Sequence, residues 1–124
     1  MVSLARVYDI QGLFRQAAEL GEKTLEARRR ILGEEHPDTL TTMNNLAWYY
    51  HSLGRTKQGS ELGEKTLEAR QRILGDEHPD TLVTMNSVAS YHHSLGRTEQ
   101  AAEVREKTRQ TISGEVALEA AQKI

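Results

Sequence analysis

The chain has no cysteine, which excludes disulfide bonds and thiolate metal sites and favours a reducing compartment. It has two prolines in 124 residues and 5% aromatics, with 37% hydrophobic and 27% charged residues. That balance suits thin helical layers better than a thick globular core or a disordered tail. Charge of one sign is also lacking: a net charge of −2 gives no general pull toward nucleic acid or anionic membrane. The one basic cluster, Arg28 to Arg30, stands just behind Glu26 and reads as a solvated helix face with i,i+4 pairs. No apolar run approaches the roughly 20 residues of a membrane span, and Met1 to Gln11 carries charge too early for a secretory signal. A cytoplasmic protein without membrane contact is the expectation.

What the sequence does have is a repeat. Leu20 to Arg55 returns at Leu62 to Arg97, 42 residues later, with 29 of 36 positions identical. The seven differences are Arg29/Gln71, Glu34/Asp76, Thr41/Val83, Asn45/Ser87, Leu46/Val88, Trp48/Ser90 and Tyr50/His92. So regular a period means stacked copies of one supersecondary unit, each covering its neighbour's apolar face.

Taken in order, Met1 to Ile10 has helical spacing at Val2, Leu4, Ala5, Val7 and Tyr8, and Gly12 supplies a stop. A longer helix over about 13–32 follows, its apolar stripe comprising Phe14, Ala17, Leu20, Thr24, Leu25, Ile31 and Leu32. Gly33 ends it, Glu34 to Pro37 form a loop, and Asp38 is placed to cap the next helix. Further helices are expected at about 39–53, 56–74, 81–95 and 98–112. Beyond Gly114 the pattern fails, and 115–123 is expected to form a short separate helix over the open end. The competing picture is a last helix that runs straight through Gly114 at about 1 kcal/mol. One repeat domain, 1–124, is expected, with pairs at about 1–32, 39–74 and 81–112.

Leu46, Ala47, Tyr50, Gly54 and Gly59, followed by Thr66 and Leu67, resemble a tetratricopeptide repeat. The 42-residue period, the HPDTL loop and the MNNLA opening most resemble the lengthened repeats of kinesin light chains and of the repeat tails of nucleotide-binding immune-type receptors. The resemblance covers about 1–112. It implies an all-α, right-handed α-solenoid of about three antiparallel helix pairs, to which 115–123 is expected to add the short C-terminal capping helix. It also implies a scaffold that holds peptide segments of other proteins in a concave groove lined by the first helix of each pair. Gly21 and Gly63 depart from the family, which usually has a bulky residue there, and His92 replaces the aromatic seen at Tyr8 and Tyr50.

Met43, Leu46, Ala47, Tyr50 and Leu53 are expected in the core. Asn44, Trp48 and His51 then share the opposite edge of their helix, with copies at Asn86, Ser90 and His93 and, in the first pair, Val2, Arg6 and Asp9. The asparagines can grip a peptide backbone with one donor and one acceptor, or equally bond neighbouring helices. Trp48 offers a large apolar anchor with a polar tip. Its copy is Ser90, a swap that a core position rarely makes. Arg6 suits an acidic ligand group. The groove candidates are thus Arg6, Asp9, Asn44, Trp48, His51, Asn86, Ser90 and His93.

Other chemistries find little support. His92 and His93 are adjacent and point to different sides of a helix, while His36 and His78 recur with the loop, so no i,i+4 histidine pair converges on a metal. Gly59 to Thr66 has Glu64 between Gly63 and Lys65 and lies within a helix, unlike a phosphate loop. No nucleophile motif or deep pocket points to an enzyme. The reading is a non-catalytic protein-interaction scaffold without cofactor or metal, its partner a protein or peptide. The alternative is a self-assembling or sensor segment of a larger protein, associating through exposed repeat ends.

Overall fold

A computed structural model describes the backbone of residues 2–122 and the side chains of 10–97 and 99–112. It contains α1 (Val2–Leu32), α2 (Pro37–Ser52), α3 (Thr56–Leu74), α4 (Pro79–Ser94) and α5 (Thr98–Gln122), with no strand among the described residues. This is an all-α repeat fold. Contacts divide it into two compact units, Met1–Thr66 and Leu67–Ile124.

The repeated punctuation acts as its residue types require. Gly54 (φ 80°) and Gly96 (φ 76°) take the left-handed backbone that ends α2 and α4. Around Gly54, the Arg55 N–H donates to Tyr50 O at 2.8 Å and the Gly54 N–H to His51 O at 3.0 Å, satisfying carbonyls that the helix end would otherwise orphan. Gly33 and Gly75 end α1 and α3 in the same backbone region.

At the start of α2 the expectation for Asp38 is corrected. His36 is the N-cap, its Nδ1 accepting from the Asp38 N–H at 3.1 Å, with Pro37 in the first turn. The helix therefore begins before Thr39, because proline needs no amide partner there and its fixed φ suits the first turn. Asp38 contributes its charge near the positive helix end instead. His78, Pro79 and Asp80 repeat the arrangement in α4.

Two expected breaks are absent. Gly12 does not stop the first helix: α1 runs unbroken from Val2 to Leu32, so 1–32 is no helix pair. The reversal at Gly54 is held by Arg55, whose guanidinium lies 5.2 Å over the Tyr50 ring, and by His51 Nδ1 against Thr56 Oγ1 at 3.1 Å. Forty-two residues earlier the Arg55 and Thr56 positions are Leu13 and Phe14, which can make neither contact. Phe14 packs on Tyr49 instead, with ring centroids 6.3 Å apart. The separate cap helix at 115–123 is likewise absent, since α5 continues to Gln122. At the positions of Gly33 and Gly75 it has Ala117, and at those of Pro37 and Pro79 it has Ala121, so nothing there ends a helix.

The first unit is built on α2. Leu40, Met43, Leu46 and Ala47 are buried, as are Ala18 and Leu25 of α1. Gly21 admits Leu46, whose Cδ1 would lie only 3.2 Å from an added Cβ, which explains a glycine where the family has bulk. Gly59 of α3 comes closer still, with an added Cβ falling 2.7 Å from Ala47 O. Arg28 ties α1 to α2 by donating to Thr42 Oγ1 at 2.6 Å and Asp38 O at 3.2 Å.

The second unit buries Met85, Val88, Ala89, Tyr91 and Ala101. Arg70 repeats the clamp on Thr84 Oγ1 at 2.7 Å and Asp80 O at 3.3 Å. Burial pushes the Arg70 pKa down, with the Asp80 charge opposing.

The apolar stripe of α1 is only partly core. Leu25 is buried, but Leu20 (66%), Ile31 (72%) and Leu32 (41%) are exposed, because α2 covers a different face of the helix. Tyr50 and Leu53 are half-buried rather than buried. The Tyr50 hydroxyl reaches out to donate to Glu22 Oε1 at 2.8 Å.

Candidate functional site

In the first unit the structure brings Trp48 and His51 together on one face of α2, ring centroids 5.5 Å apart. Trp48 stays 46% exposed, with His51 positioned by Thr56. Asn44, one turn before Trp48, is half-buried. A surface helix that keeps an indole half in water holds an apolar anchor without first having to free it.

The second unit differs at its copies. Asn86 and His93 are exposed, and Ser90 spends its hydroxyl on Asn86 O at 3.1 Å. Asn86 lines a hollow of about 330 Å³ with Arg105, Thr108, Arg109 and Ile112. Both carboxylate oxygens of Glu106 lie 2.6 Å from Arg109 Nη2, which holds the Glu106 carboxyl below its ordinary pKa. Arg6 and Asp9 are on α1, but their side chains lie outside the described residues.

The seven differences between the copies separate packing from surface. Arg29 pairs with Glu34 at 2.7 Å, and both positions change together: Asp76, the counterpart of Glu34, meets Lys107 at 3.5 Å instead. Leu46/Val88 are buried in both copies, and half-buried Tyr50 becomes buried His92. The other three, Thr41/Val83, Asn45/Ser87 and Trp48/Ser90, follow steps of four and three, which places them on one face. On α2 that face is exposed throughout. It presents a hydroxyl, an amide and an indole; the α4 copy presents an isopropyl group and two hydroxyls, with Val83 55% exposed. The duplicated scaffold therefore displays two chemically different strips.

A second feature was missed at the sequence level. A hollow of about 590 Å³ between α1 and α2 is lined by Glu22, Arg29, Arg30, Leu46 and Tyr50 among others. Burial, followed by the bond to Glu22, raises the Tyr50 pKa to about 12. The signal for it was the Tyr50/His92 difference, hidden by assigning Tyr50 to the core. Among the described residues, no group of His, Asp and Glu is placed to hold a metal ion. No helix among them is long and apolar enough to cross a membrane.

Comparison with known proteins agrees with this architecture. A family model described as tetratricopeptide repeat matches residues 1–69 and 54–110. Among solved structures, a Podosopora anserina protein assigned as a kinesin light chain, with nearly identical TPR-like repeats, is 30% identical with a TM-score of 0.76. That match covers 85% of this chain and 50% of the other, and a point variant of the same protein gives the same values. BtubC (BKLC) from P. vanneervenii has a TM-score of 0.78 at 24% identity, covering 90% of this chain and 44% of that one, and so shares the fold. This chain thus spans half or less of the length of these structures. A search of curated proteins finds no match.

Proposed function

The chain belongs to the tetratricopeptide-repeat family, whose repeats are in general protein-interaction scaffolds, and from that premise we propose that it binds a segment of a partner protein without catalysis. The first unit does so on the exposed face of α2. Trp48 is the anchor, inserted beside an apolar side chain of the partner; Asn44 and Asn45 supply paired donors and acceptors for the partner's backbone, and His51 steadies the indole. The observation that carries this reading is the strip at Thr41, Asn45 and Trp48, where otherwise near-identical copies part company on an exposed helix face. The α4 face of the second unit, with Val83, Asn86, Ser90 and His93, offers a smaller and more polar surface of the same kind.

The test uses the protein's own second copy as the control. Peptides selected from a displayed random library against the wild-type chain are titrated against Trp48→Ser, the residue that α4 carries at that position, and against Asn44→Ala. The expected result is micromolar binding that falls at least about tenfold in Trp48→Ser, the range of a modest hot spot, with helicity unchanged. Selected peptides that bind Trp48→Ser as well as wild type would overturn the assignment.

A further inference from the structure

One face of α1 is apolar, exposed and regular. Ile10, Leu13, Ala17, Leu20, Thr24, Ala27 and Ile31 follow alternating steps of three and four, the spacing of a helix-packing seam. Ile10 is 50% exposed, Leu13 64%, Leu20 66% and Ile31 72%. The seam runs for roughly 30 Å at 1.5 Å per residue, and a contiguous exposed apolar strip marks an interaction surface.

The chain itself shows what covers such a face. Shifted by 42 residues, Ala17 falls on Gly59 and Ala5 on Ala47. At the later pair the chain reverses at Gly54, and α2 lies antiparallel on α3 with Ala47 O against Gly59. In sequence, residues 2–11 are the copy of the end of the covering helix. Because α1 continues straight through Gly12, the backbone of 2–11 runs on beyond the face that this stretch matches.

We propose that the 10–20 part of this face is covered by a second copy of the chain. Two straight α1 helices pack antiparallel about a two-fold axis, residues 2–9 of each copy seated along 13–20 of the other, in a swapped dimer whose hinge is Gly12. The exchange reproduces the α2–α3 pairing between chains instead of within one, so it needs no new kind of contact. It closes as a dimer, because each face is used once. This inference does not depend on the peptide-binding reading, which concerns α2.

The absence of native cysteine allows a direct test. Ala5→Cys and Ala17→Cys chains, each with one thiol, are mixed, oxidised mildly and resolved without reductant, while light scattering follows mass over a hundredfold concentration range. The swap predicts a concentration-dependent dimer and preferential Ala5→Cys to Ala17→Cys cross-linking over either homodisulfide. Leu20→Glu should weaken association at least about tenfold, the effect of burying a charge in an apolar seam. Gly12→Ala, with nothing within 4 Å of the added Cβ, should raise the dimer fraction by favouring the straight helix. A helical monomer at every concentration would overturn the proposal. So would a chain carrying both cysteines that closes its disulfide internally, since residues 2–11 would then be folded back on their own helix.

Discussion

The two arginine clamps provide a controlled comparison of one interaction at two depths. Thr84 Oγ1 accepts from Arg70 at 2.7 Å and donates to Asp80 O at 3.0 Å, and Thr42 repeats both contacts with Arg28 and Asp38. Arg70 is 6% exposed and Thr84 fully buried, whereas Arg28 is only half-buried. Thr84→Val keeps the shape and removes the acceptor, leaving a buried guanidinium with one long bond to Asp80 O. A lost hydrogen bond to a charged group costs about 1.5–3 kcal/mol. Thr42→Val should cost about 0.5–1.5 kcal/mol, because water reaches Arg28 and replaces part of what is lost. At roughly 4 °C per kcal/mol for a chain of this length, the thermal midpoints should fall by about 6–12 °C and about 2–6 °C respectively. Circular dichroism followed through heating measures both. Adding Arg70→Met to Thr84→Val should recover part of the loss, since no unpaired buried charge then remains. If Thr42→Val costs as much as Thr84→Val, or if Arg70→Met brings no recovery, burial is not what gives the second clamp its weight.

Gly59→Ala should destabilise by about 1–2 kcal/mol: the gain in helix propensity of about 1 kcal/mol is outweighed by a Cβ 2.7 Å from the Ala47 carbonyl. Chemical denaturation checks the sign, and a stabilised variant would show that α3 moves away from α2 at little cost. In alkali, burial pushes Tyr91 up to about 12 and Tyr50 lies equally high, against an ordinary 10.0. Both keep their protons better folded than unfolded, so stability should be whole below about pH 10 and fall between pH 10 and 12. Tyr91→Phe should flatten that fall, and an unchanged slope in the variant would refute the role of Tyr91.

Most of the fold was legible because the repeat reports on itself. Gly33, Gly54, Gly75 and Gly96 recur with the period, and all four adopt the backbone that a turn requires. The exception, Gly12, shows why a glycine alone does not make a turn. The reversal is held by Arg55 on Tyr50 and by Thr56 on His51, and those partners are missing at Leu13 and Phe14. The cap was misjudged for a similar reason: aspartate ranks high among capping residues, but Pro37 starts the helix one residue too early for Asp38 to serve, and His36 takes the place. Exposure was harder to infer. The helical spacing of Leu20 and Leu25 identifies both as apolar positions, yet Leu25 is buried and Leu20 is open, because periodicity marks a face and only the neighbouring helix decides whether it is covered. Trp48 was identified for the same reason in reverse, through its replacement by serine in a helix otherwise nearly copied.

The two open surfaces of the first unit share no residue, and this separates their consequences. The α1 seam is aliphatic at every exposed large position, Ile10, Leu13, Leu20 and Ile31, with Thr24 its one polar side chain, and it matches a helix that the chain already contains. The α2 strip mixes a hydroxyl, amides and an indole, which discriminate among ligands at the cost of unsatisfied groups when the wrong one binds. An aliphatic seam therefore suits a partner of fixed identity, and a mixed strip suits a partner that must be chosen. If so, Leu20→Glu should change the mass of the particle and leave peptide affinity per chain unaltered, while Trp48→Ser should do the opposite. A single substitution that moved both would mean that the surfaces are coupled through α1 and α2, and the assignment of separate roles would have to be abandoned.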